Sequence, residues 1–295
     1  MKRAHDILSI LIIALFAGCQ QPSDIVVAPA SADQASVEIV PVVVPDTASS
    51  GAWSDSTAIL PQEQSLRGGS FLLNRVTHDT GTGSVKFALA HAFFADSAVQ
   101  MWGKNCGFSG RDLGAIAFDG GLMLRYPHVL HARTNLGIDT AVARGVAYIS
   151  NATQTYAPNR EFSWVLNPAG NHFVTVSVRT PDDLVVRAPL GGTRVSRTQD
   201  LELRWTGANG RMDIVISTYE PMRRKSRPIL TLNPPASAGR VVLPARLLSG
   251  LPATARFYII TFILSNRTES ISVPQYPARV FARAADVYNS YVEIR

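Results

Sequence analysis

Apolar and polar side chains alternate with a period of two along much of the chain, the pattern of strands with one face buried. Leu201-Glu-Leu-Arg-Trp205 is a clear case, with Leu201, Leu203 and Trp205 pointing inward and two charges outward. Runs of the same kind cover residues 84–94, 113–118, 122–126, 145–149, 162–166 and 173–178, and then 212–217, 241–243, 278–283 and 287–294. The stretch 257–264, Phe-Tyr-Ile-Ile-Thr-Phe-Ile-Leu, is apolar on both faces and predicts a central strand. Asp119-Gly120 stands between two such runs and predicts a hairpin turn, because both residue types tolerate positive φ. Helical spacing is confined to one turn at 244–249, and the irregular stretch 95–110 predicts a loop or a short helix. The expectation is an all-β chain with two β-sandwich-type domains, 67–180 and 181–295, meeting near Thr180-Pro181.

Before residue 67 the pattern is different. Lys2 and Arg3 precede an apolar run, 7–16, whose one polar member is Ser9. As a helix this run is about 15 Å long, short of the ~20 apolar residues needed to cross a bilayer. A basic start, a short apolar core and small residues after it form a secretory signal, expected over 1–18. Leu15-Phe-Ala-Gly-Cys19 resembles the lipobox of bacterial lipoproteins, with Phe16 standing where Leu is usual. The resemblance implies that Cys19 carries diacylglycerol, that cleavage precedes it, and that Gln20 in place of Asp directs the protein to the outer membrane. Residues 19–66 are rich in Pro, Ala and Ser and predict a disordered spacer, with Val37-Glu-Ile-Val-Pro-Val-Val-Val44 as its one sticky patch.

Composition sharpens the division. The 295 residues carry a net charge of +6, but residues 20–66 hold six acids and no Lys or Arg. The body after Leu66 is therefore about +11, which favours anionic partners. Of the two cysteines only Cys106 remains if Cys19 is acylated, so no intrachain disulfide is expected and packing must hold the fold.

In the second half Thr198-Gln-Asp-Leu-Glu-Leu-Arg-Trp205, a turn, and Met212-Asp-Ile-Val-Ile216 resemble the second and third strands of a fibronectin type III or related immunoglobulin-like sandwich. Leu251-Pro-Ala-Thr-Ala-Arg-Phe-Tyr258 is similar to that family's Leu-Pro…Tyr corner, with the Tyr about one position late. The resemblance covers 181–295 and implies a core built around Trp205. The whole arrangement also resembles bacterial lipoproteins with tandem β-sandwiches.

Catalytic and metal-binding patterns do not assemble. Gly107-Phe-Ser-Gly-Arg111 begins like a nucleophile elbow but has Arg111 where Gly is needed. His128 and His131 point to opposite sides of a strand and have no carboxylate within six residues, while His78 and His91 are isolated. Asp182-Asp183 falls at the domain junction, where a turn accounts for it. No catalytic residue, metal or cofactor is therefore expected. One cluster stands out: Arg223, Arg224, Lys225 and Arg227 lie between Pro221 and Pro228, a loop able to contact phosphate or carboxylate oxygens. No aromatics are interleaved with it, which argues against nucleic acid. The reading is a non-enzymatic envelope protein, anchored to membrane through Cys19 and acting as a structural, adhesion or binding module, with an anionic lipid or glycan as its expected partner. The alternative is an envelope hydrolase or small-ligand-binding lipoprotein with its site between the two β domains.

Overall fold

In a computed structural model the chain is nearly all β. It describes residues 68–100, 106–133, 139–167, 173–220, 225–274 and 276–295. The signal, Cys19 and the spacer lie outside these residues. The first strands are β1 (Gly69–Asp79), β2 (Ser84–Gln100), β3 (Cys106–Gly110), β4 (Ile116–Phe118), β5 (Gly121–Leu122), β6 (Leu124–Arg133), β7 (Asp139–Asn151), β8 (Glu161–Leu166) and β9 (Val174–Arg179). After them come β10 (Val185–Ala188), β11 (Arg194–Val195), β12 (Leu201–Thr206), β13 (Arg211–Glu220), β14 (Lys225–Leu232), β15 (Arg240–Leu243), β16 (Phe257–Val273) and β17 (Tyr276–Ile294). A short helix α1 (Ala245–Ser249) occupies the predicted turn, with Pro244 at its N-cap.

Of the stretch 95–110, expected to be irregular, the described residues 95–100 and 106–110 are instead the end of β2 and the whole of β3, with a register shift between Ala95 and Ala98. Polar spacing hid it: Asp96, Ser97, Ser109 and the glycines interrupt the apolar alternation, while Ser97 and Ser109 bond to one another at 2.8 Å. The Asp119-Gly120 turn is as predicted, with φ of 48° and 85°.

Among the described residues the largest sheet has ten strands, in the order β14-β13-β16-β17-β1-β2-β3-β7-β6, with β11 also paired to β17. β17 is its spine. It runs antiparallel to β16 and parallel to β1 from Gly69↔Val280 to Asp79↔Ser290. Two smaller sheets, β5-β4-β8-β9 and β10-β12-β15, cover it. Even-numbered side chains of β17 enter both cores: Val280, Ala282 and Ala284 join Phe71, Phe94 and Trp164, while Val292 and Ile294 join Trp205, Tyr258 and Phe262. The two cores thus lie end to end on one face of one sheet. Packing crosses the sequence boundary near 180, since Val273 and Tyr276 at the far end of the β16–β17 hairpin are buried in the first core.

The second core has the strand arrangement that the fibronectin type III resemblance implies, with β10-β12-β15 facing β14-β13-β16-β17. Trp205 is 2% exposed and its indole N–H donates to the Ala236 carbonyl at 2.9 Å. Tyr258 forms the expected corner, donating its hydroxyl to the Pro252 carbonyl at 2.9 Å. Arg197 closes that corner, donating to the carbonyls of Leu251, Pro252 and Ala255 and to the Tyr258 hydroxyl at 2.8–3.1 Å.

Candidate functional site

The junction is the first place to look for converging polar groups, and they do converge there. Between the two cores β17 places Asp286, Tyr288 and Ser290 on its core face. Arg75 of β1 donates to both Asp286 and Asp183 and pairs with the two carboxylates. Asp286 also accepts the Leu184 N–H at 2.8 Å, and the Arg75 guanidinium lies 4.6 Å from the centre of the Tyr156 ring. Burial works against the Arg75 charge, but the two carboxylates overcome it and raise its pKa. Burial likewise pushes the Asp286 carboxyl up, against the pull of Arg75 and the Leu184 N–H. Asp182 accepts from Asn159 Nδ2 at 2.7 Å and from the Ala208 and Asn209 amides at 3.0 and 2.8 Å. These contacts, lowering its pKa, tie a loop of the first unit to a turn of the second. The junction carboxylates are thus held by a guanidinium, an amide side chain and backbone N–H groups and form a seam, in which the buried Tyr156 hydroxyl has no hydrogen-bond partner among the described residues.

The opposite face of the sheet carries a different arrangement. Odd-numbered residues of β17 point away from both cores, and so do their register partners. Tyr219 of β13 pairs with Phe257 of β16, Phe257 with Glu293 of β17, and Glu293 with Arg194 of β11. This places an aromatic pair, a carboxylate and a guanidinium in one row across four strands. Tyr291 packs edge-on to Tyr219 at 5.3 Å, and its hydroxyl lies 3.1 Å from His78 Nδ1. Together with Val85 and Thr80 these residues line an open groove of about 600 Å³. Phe257 is 42% exposed and Val85 is 64% exposed.

At one end of the groove three guanidinium groups share Glu293. Arg295 approaches it at 2.9 Å, Arg194 at 3.5 Å, and Arg256 bonds to it through Nε. Hydrogen bonds from Arg295 and Arg256 pull the Glu293 carboxyl down to about 2, so it is ionised at any physiological pH. The Arg194 and Arg256 side chains remain largely exposed. One carboxylate therefore fixes the direction of several cations without covering them.

The residues singled out in the sequence are distributed as follows. The basic stretch expected as a loop is strand from Lys225 on, because β14 is the edge of the sheet and tolerates Pro228: Lys225 opens β14 opposite Glu220, and Arg227 is exposed, paired with Thr218. Ser226 pairs with Tyr219 and shares the aromatic row, whereas Arg227, one residue on, belongs to the opposite face of the strand. Arg223, Arg224 and Cys19 lie outside the described residues, and so does the side chain of Cys106. His91 packs in β2 beside Tyr126, and burial, with His128 nearby, lowers its pKa to about 4. Its ring is neutral at pH 7. Among the described residues no three His, Cys, Asp or Glu gather as a metal site. Sequence reading missed the groove because Tyr219, Phe257, Tyr291 and His78 come from separate strands. The one available signal was Phe257, an aromatic at the exposed start of an apolar strand.

No protein-family model and no curated protein sequence matches the chain. Among solved structures, that of Dpr11 IG1 bound to DIP-gamma IG+IG2 is similar to 75% of this chain and 98% of that one, at 11% identity and a TM-score of 0.16. At that score the likeness supports no argument about either fold or function.

Proposed function

We propose that this protein is a non-enzymatic binding module of the bacterial envelope, held at the membrane by lipid on Cys19 and engaging an anionic envelope polymer. The observation that supports the reading is the exposed guanidinium cluster around Glu293, beside an open aromatic groove on the sheet face opposite the two main cores, a face that also holds the small buried cluster of Val76, Ile263, Ala285 and Val287. A rigid scaffold presenting oriented cations is suited to reversible contact with phosphate or carboxylate groups. Arg227 pairs with Thr218, in the row of the core residue Tyr258, and so stands on the other face of the sheet from the groove; with Arg223, Arg224 and Lys225 close to it in sequence it is a second candidate for anion contact. The spacer 19–66 would keep the body within a few tens of ångströms of the membrane, by the flexible-coil rule of about 5–6 Å × √n. The seam carboxylates Asp182, Asp183 and Asp286 are taken up by Arg75, Asn159 and backbone amides, which does not favour the alternative of a hydrolase site between the two units.

The test is binding of the full chain, in detergent micelles, to purified envelope glycan and to anionic vesicles at low and high salt. Salt-sensitive binding to either supports the reading. No binding to either at low salt overturns it.

A further inference from the structure

We infer that the groove on the outer sheet face is a binding site for an acidic sugar unit of a polysaccharide. The inference rests on the reading of the protein as a binder of anionic polymer and assigns that contact a location. Pyranose rings present apolar C–H faces and polar edges. A site for them needs exposed aromatic faces with charged or hydrogen-bonding groups at the rim. Phe257 supplies the exposed face, and the half-buried Tyr219 and Tyr291 flank it in the groove, fixed by backbone register on three adjacent strands and by the 5.3 Å edge-on contact between the two tyrosines.

The rim is selective in sign. Arg194 lies in the same row as Tyr219 and Phe257, through Glu293, and Arg256 immediately precedes Phe257 and sits 5.7 Å from its ring. Glu293 orients both guanidiniums, while their side chains stay 72% and 63% exposed. A carboxylate on a sugar stacked against Phe257 would meet a planar donor pair, the geometry in which Arg binds carboxylate best. A lipid headgroup is a poorer occupant. It calls for surface cations alone, whereas the groove of about 600 Å³ offers ring-lined volume beside them.

The experiment is calorimetric titration of the full chain with polygalacturonate, with neutral dextran and with phosphatidylglycerol vesicles, repeated for Phe257→Ala and Arg194→Gln. Both positions are substantially exposed, so neither change threatens the core. The expected result is binding of polygalacturonate, weakened about tenfold or more by each substitution, as for a central interface residue, with little binding of dextran. Arg194→Gln should also flatten the salt dependence, and Phe257→Ala should not. If polygalacturonate binds but neither substitution matters, while changing Arg223, Arg224, Lys225 and Arg227 to Ser abolishes binding, the groove assignment is overturned and the wider function stands. Preference for vesicles over polygalacturonate also overturns the sugar assignment. Absence of binding to any anionic probe overturns both.

Discussion

Replacing Arg75 by Met tests the seam. The substitution keeps a long flexible side chain of similar reach and removes the charge, so its effect isolates the ionic contacts. In the native protein Asp286 is 2% exposed and faces Arg75 and the Leu184 N–H. Without the guanidinium a buried carboxylate loses its counter-charge, and breaking such a pair costs about 3–5 kcal/mol. For a chain of this size that corresponds to roughly 6–20 °C in melting temperature. Asp183 pairs with the same guanidinium but its side chain is half exposed, so Asp183→Asn should cost less than about 1 kcal/mol. The loss must also depend on pH. Burial already raises the folded-state pKa of Asp286, and removing Arg75 takes away its strongest opposing influence. A carboxyl whose folded pKa lies above its unfolded value binds more protons when folded. Its contribution to stability therefore falls as pH rises from the ordinary carboxylate range through the raised pKa. Arg75→Met should accordingly lose more stability relative to wild type at pH 8 than at pH 5. Urea denaturation of both proteins at the two pH values measures this. A loss below about 1 kcal/mol, or the same loss at both pH values, would refute the account of a buried pair whose carboxylate is held ionised by Arg75.

Three further predictions concern other parts of the chain. Trp205→Ala should cost about 3–5 kcal/mol in chemical denaturation, as expected for a fully buried aromatic; a loss under 1 kcal/mol would contradict its place at the centre of the second core. Gly145→Ala should destabilise by about 1–3 kcal/mol from backbone conformation alone, since φ there is +87°, and more because the new Cβ would stand 1.8 Å from the Gly110 carbonyl oxygen. A neutral effect in thermal melts would rule out that close strand approach. Cys19→Ser should leave the protein unprocessed or soluble, and its persistence in salt-washed membranes would sink the lipid-anchor proposal.

Where the chain alternates apolar and polar residues within one strand, sequence was enough: β8 and β12, the Asp119-Gly120 turn, α1 and the Tyr258 corner all follow from local chemistry. The extent of β16 did not. Its apolar signal ends at Leu264, yet the strand continues to Val273 through Ser265-Asn-Arg-Thr-Glu-Ser270, because pairing with β17 requires backbone groups and not apolar side chains. The seam was illegible for another reason. Arg75 and Asp286 are separated by 211 residues, and each looks in isolation like an ordinary surface charge. Asp182 and Asp183 were recognised as junction residues, but their partners Asn159, Asn209 and Arg75 could not be read from spacing. The groove is a property of register across β13, β16, β17 and β11, and register between distant strands leaves no local mark.

The shared hairpin has a consequence for how the protein comes to be made. β1 leaves the ribosome early, but its parallel partner in β17 follows some two hundred residues later, after every strand of the second core except β17 itself. Until then Phe71, Leu73 and Trp164 lack the wall that Val280, Ala282 and Ala284 complete. The first unit therefore cannot close on its own during synthesis, and contacts of such long sequence separation form slowly. A chain whose first core waits for its last strand stays open until synthesis is nearly complete. The shared hairpin also makes the pair of sandwiches indivisible: a cut near residue 180 would yield one piece with an open core and another with a long unpaired hairpin end.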